Sequence, residues 1–166
     1  VCANLPYYIT TPVIMKLLEE KPGLESITVM VQKEVAKRFL AKPGSKDYGA
    51  ITPVLQYYTE ITPLFDVSAG NFLPRPNVDS AVIKMDLIPP PVPVEDEKML
   101  FRTVKAGFAM RRKTLANNLQ KEFCLTREQA AQAIQNAGFP PAVRGERLSL
   151  ADFALLSGKI AEQNGG

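Results

Sequence analysis

The sequence predicts an α/β fold followed by a small all-helical domain, and three observations carry that expectation. β-branched apolar runs such as Ile27-Thr28-Val29-Met30-Val31 alternate with helical patterns through residues 1–88, the signature of an α/β sheet. Ile88-Pro89-Pro90-Pro91-Val92-Pro93-Val94 then interrupts the chain as a stiff, extended linker. Beyond it only helical periodicity is found. The expected domains are residues 1–88, a linker at 89–97, and a helical domain at 98–166. A hydrophobic content of 46% in 166 residues is enough for a sizeable core in about one domain, or one and a half small ones.

In chain order, Val1-Cys2-Ala3 reads as the end of a buried strand, with Asn4-Leu5-Pro6-Tyr7 at its exit. In an open α/β sheet, ligands bind at the carboxyl ends of strands. Residues 12–20 read as an amphipathic helix opening at Pro12, with Val13, Ile14, Leu17 and Leu18 inward and Lys16, Glu19 and Glu20 outward. Lys21-Pro22-Gly23 breaks it. Residues 26–31 suit a buried parallel strand. Residues 33–41 return to helical spacing through Val35, Ala36, Phe39 and Leu40. Residues 42–49 hold lysines and glycines without the spacing of a phosphate loop, and read as an exposed connector.

Residues 50–58 read as a helix with Pro53 in its first turn. Residues 61–67 read as a strand in which Pro63 marks an edge or a bulge. Phe72-Leu73-Pro74-Arg75-Pro76 is a proline-stiffened loop carrying an aromatic ring, and residues 79–87 form the last strand, with Ala81, Ile83, Met85 and Leu87 on one face. Past the linker, residues 98–110 place Leu100, Phe101, Val104 and Phe108 at helical spacing, and residues 111–123 do so with Leu115, Ala116 and Leu119. Thr126-Arg127-Glu128-Gln129 is a capping box before a helix at 130–137, with Gly138 as its stop. Ser149 caps a last helix at 150–161, and a frayed Gly165-Gly166 tail follows.

Composition excludes several chemistries. The chain has no histidine, which removes Ser–His–Asp and Cys–His catalysis and His-ligated metal sites; no metal is expected. Its two cysteines, Cys2 and Cys124, lie far apart in sequence, which fits a reducing compartment without a disulfide framework. No signal peptide or membrane-spanning run is found, so the cytoplasm is the expected location and no membrane partner is expected. Charge is uneven: residues 98–147 hold ten Lys/Arg against three Asp/Glu, a net +7 in a chain of net +3. A basic helical domain points to a phosphate-bearing partner, or else to a solvated helical surface. Within it, Arg111-Arg112-Lys113 is read as a phosphate contact, and Arg144 and Glu146 as structural.

The Asn4-Leu5-Pro6-Tyr7 cluster suits methylation of an exocyclic amine on a base. That nitrogen is a weak nucleophile because its lone pair is delocalised into the ring. The Asn4 side-chain carbonyl accepts one N–H in this scheme, and the Pro6 backbone carbonyl accepts the other. Two acceptors favour a more tetrahedral nitrogen as it attacks. The Tyr7 ring stacks on the base, worth about 1–3 kcal/mol. No strong general base is needed. Stacking uses the ring alone, so Tyr7→Phe is expected to be mild.

Together these blocks resemble the KsgA-type small-subunit rRNA adenine N6-dimethyltransferase family. The resemblance is carried by Asn4-Leu5-Pro6-Tyr7, and by Val31-Gln32-Lys33-Glu34-Val35-Ala36 with Pro43-Gly44-Ser45-Lys46 and Tyr48-Gly49. Phe72-x-Pro74-x-Pro76-x-Val78-x-Ser80 continues it, followed by Arg111-Arg112-Lys113-x-Leu115-x-Asn117 and Arg144-x-Glu146-x-Leu148-Ser149. It implies the C-terminal part of a Rossmann-like methyltransferase sheet followed by a small helical rRNA-binding domain. It implies S-adenosylmethionine as donor and two adjacent adenosines near the 3′ end of small-subunit rRNA as substrate, within an immature subunit bound by a monomer. It also implies that Asn4, Pro6 and Tyr7 are catalytic, with Asn4 reaching the cofactor too. Leu5, Phe72, Arg111, Arg112 and Lys113 would then bind substrate. The family's glycine-rich donor loop and ribose-binding acid are not found ahead of Asn4. The chain is therefore expected to be a fragment, inactive by itself. The alternatives are a large-subunit rRNA resistance methyltransferase, and a non-catalytic RNA-binding assembly or transcription factor of the same fold.

Overall fold

The computed structural model describes residues 1–20 and 23–164, excepting the side chain of Asn164. The expected break at Lys21 and Pro22 and the Gly165-Gly166 tail lie outside the described residues. The chain forms two compact units, one of Val1–Leu40 with Tyr58–Pro89 and one of Ala41–Tyr57 with Pro90–Gly166. The expectation drew a single cut near residue 88; residues 41–57 instead group with the C-terminal helices.

The first unit is a mixed four-stranded sheet of order β1-β2-β4-β3, built from β1 (Cys2–Asn4), β2 (Ser26–Gln32), β3 (Thr59–Val67) and β4 (Ser80–Leu87). β1 pairs parallel with β2, whereas β2 and β3 both pair antiparallel with β4. β2 is thus parallel on one side only, and its apolar run alternates: Ile27, Val29 and Val31 are buried while Thr28 and Met30 are half-buried. β4 buries Ala81, Ile83 and Met85 by the same period of two. β3 is an edge strand with a register shift between Pro63 and Phe65. A proline cannot donate to the ladder, so it sits at the edge where the pairing is already broken.

Two helices pack on this sheet. α1 (Tyr7–Glu20) lies against β2, and α2 (Lys33–Phe39) against β2, β3 and β4. α1 begins at Tyr7, five residues before the expected opening, and Pro12 lies inside it. The missing Pro12 N–H leaves the Tyr8 carbonyl without its helical donor, and Tyr8 is an exposed residue. Thr10, Ile14 and Leu18 are buried at helical spacing, while Lys16, Glu19 and Glu20 face out as expected.

The second unit packs α4 (Glu97–Ala109) against α5 (Leu115–Phe123) and α7 (Leu150–Asn164), with α6 (Arg127–Asn136) closing the ring between α5 and α7. Leu100, Val104, Leu115, Leu119, Ile134 and Phe153 form its core. Local capping sets the boundaries. The Asp96 side chain accepts from the Lys98 and Met99 N–H groups at 2.8 and 3.1 Å. The Thr126–Gln129 box is reciprocal, at 2.8 and 3.1 Å. α6 ends in a Schellman motif: Phe139 N–H donates to the Ile134 carbonyl and Gly138 N–H to that of Gln135, with Gly138 at φ +84°. Ser149 caps α7 by accepting from the Asp152 N–H at 3.2 Å.

Residues 42–47 are the exposed connector expected from their composition, and Tyr48 is the exception. Tyr48 is wholly buried, its hydroxyl donates to the Leu148 carbonyl at 2.7 Å, and its ring meets Phe108 edge-on at 5.5 Å. The Gly44 N–H donates to the Glu146 carbonyl at 2.7 Å. The α3 helix (Ile51–Tyr58) follows in the same unit through Tyr57, whose ring packs edge-on against Phe101 at 5.4 Å. One aromatic residue anchors an otherwise solvated loop of lysines and glycines.

Burial, with the Asp152 carboxylate adding to it, pushes the Tyr48 phenol above its ordinary value of 10.0. Tyr57 is raised as well, by burial and by its hydrogen bond to Glu97. A raised folded-state value means that the unfolded chain loses its proton first as pH climbs. Stability from these groups is therefore complete below about pH 10 and falls above it. Tyr48→Phe should reduce that alkaline loss, leaving the share due to Tyr57. At neutral pH it should cost about 1–3 kcal/mol, because the Leu148 carbonyl loses its donor. Urea melts of both proteins between pH 7 and 11 measure this; parallel pH profiles would reject it.

Candidate active site

The strand β1 ends at Asn4, and α1 begins three residues later at Tyr7. The loop at residues 72–78 enters beside them and closes an open pocket of about 340 Å³ lined by Asn4, Leu5, Pro6, Tyr7, Phe72, Pro74 and Pro76. Ligand pockets run from about 300 to 1,000 Å³, so this one is at the single-base end of the range. Its lining joins one amide to two aromatic rings and three prolines. Asn4 is exposed, and among the described residues its side-chain amide makes no hydrogen bond. An unspent carbonyl at the mouth of an apolar slot is what an incoming amine requires.

The loop is held firmly at its base. The Asp79 carboxylate accepts from the Ala69 N–H at 2.9 Å, and the Asp79 carbonyl accepts from the Lys33 N–H at 2.9 Å. Ser68 caps a short 3₁₀ turn, Ala69–Asn71, by accepting from the Gly70 N–H at 3.2 Å. Phe72 leaves that turn in extended conformation, and the Leu73–Pro74 peptide is cis. The prolines that stiffen the loop, Pro74 and Pro76, also serve as its pocket wall.

Two expectations meet resistance here. The Pro6 carbonyl accepts from the Ile9 N–H and from the Thr10 Oγ1 hydroxyl, both at 3.1 Å. Both of its lone pairs are thus engaged in opening α1, which works against its role as an acceptor for a substrate. The Tyr7 hydroxyl, expected to be idle, shares a hydrogen bond with the Ser80 Oγ. The sequence reading passed over Ser80 as a site residue, although it closes the Phe72-x-Pro74-x-Pro76-x-Val78-x-Ser80 block. Nothing local could have paired it with a tyrosine 73 positions away.

The basic triplet lies in the second unit. It was expected on a helix, but Arg111, Arg112 and Lys113 occupy the turn between α4 and α5, closed by a Lys113 N–H to Met110 carbonyl bond of 2.9 Å. Thr114, a cap residue in extended conformation, delays α5 to Leu115. Arg111 is engaged inside the unit: it donates to the Lys46 and Tyr48 carbonyls at 3.2 and 3.3 Å and faces the Glu146 carboxylate at 3.6 Å. Arg112 and Lys113 are exposed.

The pocket does not look like a donor site for S-adenosylmethionine. Its lining offers one amide, no carboxylate for a ribose and no glycine-rich run of N–H groups. Among the described residues no cluster of His, Cys, Asp or Glu could hold a metal, both cysteines are free, and no helix is long and apolar enough to cross a membrane.

The fold matches that of two solved structures. The solved dimethyladenosine transferase of Plasmodium falciparum superposes on 98% of the chain with a TM-score of 0.81 at 23% identity, covering 66% of that protein. The 23S rRNA methyltransferase ErmE superposes on 96% with a TM-score of 0.65 at 21% identity, covering 64% of its own chain. At the sequence level, residues 1–160 match the family described as Ribosomal RNA adenine dimethylase, and the chain belongs to that family. The Ribosomal RNA small subunit methyltransferase A of Geobacillus thermodenitrificans is 51% identical over 96% of the chain, and that of Bacillus licheniformis 49% over 98%. The chain spans 56% and 57% of these relatives' lengths, respectively.

Proposed function

We propose that a full-length protein containing this chain dimethylates the N6 amines of two adjacent adenosines near the 3′ end of small-subunit rRNA, with S-adenosylmethionine as donor. The observation that carries this reading is the slot itself. It joins an unpaired amide, Asn4, to the rings of Tyr7 and Phe72 at a strand end, in a chain of this family. Asn4 accepts one N–H of the amine. With the Pro6 carbonyl committed to α1, the Leu5 carbonyl one residue earlier supplies the second acceptor. Tyr7 and Phe72 take the two faces of a base extruded from its stack, a step that costs a few kcal/mol. The amine's proton is released to solvent after transfer, so no buried base is required. A site that dimethylates must also accept the monomethylated amine, and the open mouth of the pocket leaves room for it.

The small-subunit target draws support from the names of relatives that are 51% and 49% identical to this chain over the aligned residues. The large-subunit alternative rests on fold alone. Full-length protein, labelled S-adenosylmethionine, and immature small and large subunits decide between them. The expected product is N6,N6-dimethyladenosine in small-subunit RNA. Label confined to large-subunit RNA, or absent from adenine, would overturn the proposal.

The second unit supplies phosphate contacts, and the three residues of its basic turn divide by role. Arg112→Ala and Lys113→Ala should leave the melting temperature unchanged and each reduce the salt slope of RNA binding by about one charge. Arg111→Ala should instead lower stability by about 1 kcal/mol, since it loses two backbone acceptors and a partly exposed ion pair. Thermal melts paired with RNA titrations at several salt concentrations separate the two behaviours.

A further inference from the structure

The Tyr7 hydroxyl is joined to a residue that the chemistry above does not use. Ser80 is wholly buried at the first position of β4, the central strand flanked by Gln32 of β2 and Val67 of β3. Its Oγ and the Tyr7 hydroxyl are hydrogen-bonded, and neither makes another side-chain hydrogen bond among the described residues. Tyr7 is half-buried, lines the pocket and begins α1. Ser80 directly follows Asp79, the residue that staples the base of the Phe72 loop.

We propose that Ser80 is a positioning residue for methyl transfer, holding the Tyr7 ring at a fixed angle through their shared hydrogen bond so that the slot between Tyr7 and Phe72 stays open to one base. This rests on the methyltransferase reading above and deepens it. A tyrosine side chain has two free torsions, and tethering its far end to the sheet fixes both. The tether runs to the same end of β4 that carries the Phe72 loop, so the two walls of the slot share one rigid support. Reactive geometry must hold to within about 0.5 Å and 10–20°. An untethered ring would still stack on a base, but would place the amine less well against Asn4. The bond therefore acts on turnover more than on affinity, and the phenol hydroxyl is not idle.

The test uses full-length protein in single-turnover methylation of immature small subunits, with RNA affinity measured alongside. Ser80→Ala, Tyr7→Phe and the double variant are compared with wild type. Each single change should slow transfer about tenfold, as modest misplacement of a reacting group does, with RNA affinity within about twofold. The double variant should be no slower than either single one, because both remove the same bond. Ser80→Thr, which keeps the hydroxyl, should recover most of the rate. Tyr7→Phe keeps the test decisive if Ser80→Ala fails to fold. Wild-type rates in the single variants, losses that multiply in the double variant, or affinity falling in step with rate would each overturn the proposal. If wild-type protein itself methylates no adenine, the functional reading fails and this inference with it; a normal wild type with unaffected variants sinks this inference alone.

Discussion

Gly145→Ala should lower the melting temperature of the helical unit by roughly 6–12 °C. A Cβ at Gly145 would lie 2.2 Å from the Gly107 carbonyl oxygen and 2.5 Å from its carbonyl carbon. Those are backbone atoms of α4, which cannot swing aside as a flexible side chain can. Gly107 has no room to retreat, since its own Cβ would meet the Phe153 ring at 2.8 and 2.9 Å. Overpacking costs about 1–3 kcal/mol, occasionally more, and a backbone clash belongs at the upper end. At about 2–4 °C per kcal/mol for a chain of this size, the shift follows. Gly158→Ala is the control. It lies inside α7 with nothing within 4 Å of its Cβ, and alanine should raise stability by about 0.5–1 kcal/mol there. Circular dichroism melts of both variants decide the matter: a Gly145→Ala protein that melts like wild type would mean that α4 and the Gly145–Arg147 turn do not approach so closely.

The parts of this fold that were legible in the sequence are those with local causes. Alternation in β4, the Pro63 edge strand, the Thr126 capping box, the Gly138 stop and the Ser149 cap each depend on residues within a few positions of one another. Asn4, Leu5, Pro6 and Tyr7 were legible as a cluster because they are consecutive, and Phe72 because two prolines follow it closely. What stayed hidden depends on distant partners. Tyr48 is a loop residue that looked exposed, and its burial depends on Leu148, 100 positions away. The bonds of Arg111 to Lys46 and Tyr48 and its ion pair with Glu146 join residues 35 to 65 positions apart. The start of α5 was misjudged for a local reason: the helical spacing runs straight through Thr114, which is the N-cap. The commitment of the Pro6 carbonyl could not be read at all, because it depends on the helix opening at Tyr7 and not at Pro12.

Asn4→Ala should lower the rate of methyl transfer about a hundred- to a thousand-fold in a full-length protein containing this chain, the range seen for removal of a preorganised polar group. Asn4 is the one amide side chain lining the slot, and no protein group competes for its carbonyl among the described residues. It is exposed, so the change leaves no cavity and no buried orphan, and stability should hold. The rings of Tyr7 and Phe72 and the basic turn at Arg112 and Lys113 are untouched. Stacking and phosphate contacts should therefore persist, and RNA affinity should change by less than about threefold, within about 1 kcal/mol.

The most direct measurement of the central claim is single-turnover transfer to N6 of adenine by wild-type and Asn4→Ala protein on immature small subunits, with RNA affinity determined on the same samples. A slot built around Asn4 predicts a large loss of rate at nearly unchanged affinity. Transfer by Asn4→Ala at the wild-type rate would make Asn4 a turn residue and would contradict the assignment of the active site.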